Sequence, residues 1–121
     1  WTQPVSTGLS SPASTPLLKR IPTSGDLLLV WNNRYDTNHE DYQQGHGPRD
    51  PLSAAISRDD GETWDHLKDL ERRPGGASLT PAVTFLGDEA LLTYATQVVR
   101  QPLYEKYDIR LKIIPIDWFY G

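Results

Sequence analysis

Cysteine and methionine are both absent from the 121 residues, which excludes disulfides, thiol nucleophiles and zinc-thiolate sites and leaves the redox compartment unmarked. Histidine is scarce. His39, His46 and His66 stand singly, a scatter that offers no metal-ligand set, and no metal or other cofactor is expected. Long hydrophobic runs are missing as well: the longest uncharged apolar stretches, such as 27–31, fall far short of the roughly 18 residues that span a bilayer. No membrane insertion is expected. Basic residues are outnumbered, 12 Lys and Arg against 16 Asp and Glu for a formal charge of -4, and a nucleic-acid binder needs a dense basic surface. No nucleic-acid partner is expected. The chain opens on Trp1 with no apolar leader, which implies processing or a piece of something longer.

What is present is a set of short β-branched and aromatic runs separated by ten prolines, nine glycines and clusters of Asp and Asn, with little helical periodicity. This pattern predicts an all-β chain. Eight strands are expected, over 2–6, 14–21, 26–32, 52–57, 63–70, 81–86, 89–96 and 107–118. An internal repeat of about 63 residues runs through them. Trp1 matches Trp64, Ala13-Ser14 matches Ala77-Ser78, and Gly25-Asp26 with Leu28-Leu29-Val30-Trp31 matches Gly87-Asp88 with Leu91-Leu92-Thr93-Tyr94.

The most specific motif is Ser57-Arg58-Asp59-Asp60-Gly61-Glu62-Thr63-Trp64, an S-x-D-x-G-x-T-W turn. Ser57 and Asp59 can hydrogen-bond the turn's own backbone, Gly61 supplies a positive φ, and Trp64 is expected to bury its ring against the neighbouring sheet. The motif is the Asp box, and with the repeat it resembles the BNR repeats of the sialidase (neuraminidase) family. The resemblance covers nearly the whole chain, as a C-terminal portion, and reaches the closing segment 113–120. It implies a six-bladed sialidase-like β-propeller, of which about two four-stranded blades are present. Residues 1–9 are then the last strand of a preceding blade, 10–70 a complete blade with its Asp box at 57–64, and 71–121 three strands of the final blade. So few strands leave open sheet edges. Completion is expected either by the remainder of a longer chain or by three copies closing a ring, each donating residues 1–9 to a neighbour.

Antiparallel alternation places the Asp box at one end of the sheets and the long links at the other, where sialidases keep their active site. The 33–51 link has 19 residues, long enough to expect function. It carries Arg34, Tyr35, Asp36, His39, Glu40, Asp41, Tyr42, His46 and Arg49, groups suited to a polyhydroxylated, anionic ligand. The resemblance assigns Arg49 to the clamp of arginines that holds a substrate carboxylate, a role suited to a planar cation that is always charged. The substrate-binding candidates are Arg49, Arg34, Tyr35, Asp36 and Tyr104; the Asp-box residues Ser57, Asp59, Gly61, Thr63 and Trp64 are structural. Arg72 and Arg73 are read as solvated, Arg20 and His66 as structural, and Tyr94 and Tyr107 as packing or anchoring residues. Sialidases use a tyrosine nucleophile that normally opens the first strand of the last blade, where this sequence has Ser78-Leu79-Thr80. The implied function is an exo-sialidase-type glycoside hydrolase acting on sialylated or other carboxylated glycans, in a secreted or periplasmic setting. The alternatives are a non-catalytic, lectin-like propeller assembled from several copies and a protein-binding scaffold.

Overall fold

Strand formation follows the two-residue period of the sequence. In β2 (Leu27–Asn32) Leu28, Val30 and Asn32 point inward, and in β6 (Glu89–Val98) Ala90, Leu92, Tyr94 and Thr96 do the same. The computed structural model describes residues 1–34, 49–74, 76–98 and 107–121. β1 (Leu17–Arg20), β2, β3 (Leu52–Ser57) and β4 (Asp65–Glu71) form a four-stranded antiparallel sheet in chain order. A second, three-stranded antiparallel sheet follows, made of β5 (Gly76–Leu86), β6 and β7 (Asp108–Pro115). A 3-10 turn over Ile116–Phe119 ends the chain.

The two sheets share one core. Leu28, Val30, Ala54 and Ile56 of the first meet Val83, Leu92, Tyr94 and Ile114 of the second, and β5 lies beside β1 and β2. Burying each leucine or isoleucine contributes about 2 kcal/mol. The chain is thus all-β, as its periodicity predicts. The turns of the two sheets also repeat: Gly25 (φ 79°) before Asp26 and Gly87 (φ 58°) before Asp88 occupy the same place in each.

Four boundaries depart from the sequence reading. β5 starts at Gly76, not at Pro81, because a bulge between Leu79 and Ala82 carries the proline past the ladder on an edge strand, where its missing N–H breaks no bond. β4 starts only at Asp65, since Thr63 and Trp64 still belong to the turn. β7 stops at Pro115, after which the Ile116 amide bonds Asp88 O (2.8 Å) and the chain coils. Residues 1–16 contribute no strand. The expected strand over 2–6 does not form, because a strand needs a partner edge and these residues pair with neither sheet.

The C-terminal turn latches the sheets together. Phe119 enters the shared core, and Tyr120 Oη donates to Asp26 Oδ2 (2.7 Å) while pairing with Ser24 Oγ (2.9 Å). The Lys68 ammonium donates to Trp118 O and sits 4.6 Å from the Trp118 ring centroid. Phe119→Ala leaves a cavity where this latch meets both sheets. It is expected to cost about 3–5 kcal/mol, read as a lower urea midpoint with an unchanged slope.

Candidate functional site

Because every pairing is antiparallel, the connections alternate between two ends of the molecule. The β1–β2, β3–β4 and β5–β6 turns share one end. The approach to β1 and the β2–β3, β4–β5 and β6–β7 links share the other.

At the turn end the Asp box is closed on itself. Ser57 Oγ donates to Asp59 Oδ1 and accepts from the Gly61 amide, both at 2.8 Å, and the Thr63 amide donates to Asp59 Oδ1 at 2.8 Å. Thr63 Oγ1 donates to the second carboxylate oxygen (2.5 Å). These donors, the Thr63 hydroxyl first, hold the Asp59 pKa down from 3.8 to about 2. Asp60 and Gly61 take positive φ (56° and 97°), so the chain can double back here. The Trp64 ring is half-buried beside Gly61 and is not among the side chains packed against the shared core. Arg20 donates to Gly25 O (2.5 Å) and pairs with Asp60 (3.0 Å), which makes it a staple between the two turns of its sheet. His66 lies at this end as well, 3.3 Å from Arg58 Nη2. All the side-chain oxygens of the Asp59 carboxylate are engaged by the loop itself, so its role is to shape the turn.

The loop end is organised by a residue the sequence reading did not single out. The Asn32 side chain, 2% exposed, donates through Nδ2 to Arg49 O (3.0 Å) and Ser78 O (3.1 Å), with Pro51 O at 3.4 Å. The Ser78 amide adds a bond to Arg49 O (2.9 Å). Arg49 is therefore fixed by both sheets at once. Its guanidinium Nη2 donates to Ala13 O (3.0 Å), and its neighbour Asp50 accepts the Arg73 amide (2.5 Å), so Arg49 and Asp50 each turn to another partner. Trp31 Nε1 donates to Ser10 O (3.0 Å) and ties down the approach to β1.

Five buried side-chain polar atoms lack a hydrogen-bond partner among the described residues, and four belong to this end: Ser14 Oγ, Arg49 Nε, Arg73 Nε and Ser78 Oγ. The fifth is Trp64 Nε1 at the turn end. Buried polar atoms normally find partners, so this group of orphans around one backbone junction stands out. Two are guanidinium donors and two are hydroxyls. Nothing in the sequence separated Arg73 from Arg72, yet Arg72 closes an ion pair with Asp69 (2.5 Å) whereas Arg73 Nε stays unpaired.

Tyr94 and Glu71 form the second feature of this end. Tyr94 Oη donates to Glu71 Oε2 (2.6 Å), and Lys112 Nζ lies 3.3 Å from the same oxygen. The Tyr94 bond and Lys112 lower the Glu71 pKa against the opposing effect of burial, while burial and the carboxylate push the Tyr94 phenol up. Tyr94 is buried, and its bond to Glu71 anchors β6 to the end of β4. Trp31 does the equivalent for β2. Of the remaining candidates, Arg34 sits at the mouth of the β2–β3 link, its amide bonded to Asn32 O (3.0 Å). Tyr35, Asp36 and Tyr104 lie outside the described residues, as do His39, Glu40, Asp41, Tyr42 and His46.

The Asp59 carboxylate gives the turn end a pH signature. Its folded pKa is depressed, so its contribution to stability is present above the unfolded value near 3.8 and is lost as pH falls toward about 2. Asp59→Ala is expected to lower the melting temperature at pH 7 and to flatten the acid dependence across that window, measured by thermal melts at several pH values. No family model, curated protein or solved structure matches the chain. The resemblance to sialidases rests on the motif and the repeat in the sequence alone.

Proposed function

We propose that the chain is a portion of a sialidase-like six-bladed propeller whose loop end binds the carboxylate of a sialylated or otherwise acidic glycan. In this reading the two sheets are adjacent blades. Arg49 holds the carboxylate, assisted by Arg34, and the full protein is an exo-sialidase-type glycoside hydrolase working in a secreted or periplasmic setting. The remainder of a longer propeller or further copies of the chain complete the ring. The observation that carries the reading is the cluster of orphaned donors at Arg49, Arg73 and Ser78, at the end of the sheets opposite the Asp box. No cofactor is needed, because glycoside hydrolysis runs on side-chain acids, bases and nucleophiles.

One observation favours a second reading. Ser78 stands where the likeness would place the tyrosine nucleophile. A lectin-like propeller would look the same. A protein-binding scaffold is the remaining rival.

The test compares sialic acid with its methyl ester, which differ in one negative charge. The chain is expected to bind the acid at least tenfold more tightly, and Arg49→Ala to erase that preference while leaving the fold intact by circular dichroism. Equal binding of acid and ester, or an unchanged preference in Arg49→Ala, contradicts the proposal. Turnover of a fluorogenic sialoside by the completed protein separates the hydrolase from the lectin.

A further inference from the structure

The second sheet lacks what the first one has. β4 closes the outer edge of the first sheet beside β3, but β7 pairs with β6 alone, and among the described residues nothing covers its other edge. An open edge is a row of unpaired backbone donors and acceptors that recruits a strand. On the outer face of β7, Ile109, Leu111 and Ile113 are 72%, 57% and 57% exposed. Three large apolar side chains in a row at alternate positions form a stripe that soluble sheets normally cover.

The chain also carries a strand with no sheet. Trp1 is the repeat equivalent of Trp64, and the residues after Trp64 are β4, so residues 2–9 hold the place of a fourth strand. Residues 1–8 are exposed and contribute no strand. Pro4 suits an outermost strand, because it blunts the far edge and stops addition at one. The connection is right as well. Within the chain, β4 passes through residues 72–75 into β5, the edge strand of a sheet packed face to face on its own; residues 1–9 lead in the same way through 10–16 into β1.

We infer that residues 1–9 of a second copy of this chain add to the open edge of β7 as its fourth strand, and that the second copy's four-stranded sheet then covers Ile109, Leu111 and Ile113. The contact is head-to-tail, since donor and acceptor surfaces differ, and each copy keeps both free for the next. The inference is independent of what the loop end binds.

The experiment pairs light scattering on a sizing column with hydrogen exchange. The full chain is expected to associate with rising concentration, and the chain lacking residues 1–9 to remain folded and monomeric. A synthetic peptide of residues 1–9 is expected to bind the shortened chain and slow exchange of the β7 amides at least tenfold. The 121-residue variant Gln3→Pro/Val5→Pro, altered only at exposed positions outside both sheets, loses association without any deletion. A full chain that stays monomeric at high concentration, association that survives both changes, or a peptide that protects no β7 amide overturns the inference.

Discussion

One buried amide holds the two sheets in register at the end where the long links converge. Asn32 Nδ2 has only two hydrogens, yet it faces the carbonyls of Arg49, Ser78 and, more distantly, Pro51, so it joins β2 to the start of β3 and to β5. A buried donor set left unpaired would cost about 1–3 kcal/mol. The chain avoids that cost only when the β2–β3 link returns close to β2 and the second sheet docks against it. The position of Arg49 is a consequence. Its backbone carbonyl is claimed by Asn32 and by the Ser78 amide, which leaves its guanidinium to reach Ala13 with Nη2 and to keep Nε unpaired.

The opposite end obeys a different logic. There the carboxylates are engaged within the end itself: Asp59 by Ser57 and Thr63, Asp60 by Arg20, and Asp26 by Tyr120. The C-terminal turn crosses this end and adds Phe119 to the shared core. Among the described residues the turn end keeps a single orphaned side-chain atom, Trp64 Nε1, whereas the other end is fixed in its backbone and left with four. That asymmetry argues for function at the loop end more strongly than any single residue there, because a fold that needed those donors for stability would have paired them.

Much of this was legible in the sequence wherever local patterning decides. β3 lies over Leu52–Ser57 as expected, and the Asp box spans the β3–β4 turn, because each is set by neighbours a few residues away. β5 was read too short because Pro81 is a strand breaker unless a bulge sets it aside, and bulges have no sequence signature of their own. Residues 2–6 were read as a strand from local patterning, but strand pairing is a property of two segments, and no described segment pairs with them. Asn32 was invisible for the same reason: its partners lie 17, 19 and 46 residues away. Arg49 was singled out in the sequence by the resemblance, whereas the unpaired atoms of Arg73 and Ser78 appear only once the sheets are docked.

The account's central claim is that ligand meets the loop end and leaves the Asp-box end untouched. The most direct measurement is a titration of the isotope-labelled chain with sialic acid, following backbone amide and arginine Nε–H resonances. The account predicts that Arg49 Nε–H, Arg73 Nε–H and the Ser78 amide shift together with one affinity, while the Gly61 and Thr63 amides stay still. Shifts confined to the Asp-box turn, or none at Arg49 and Arg73 at saturating sugar, would contradict it.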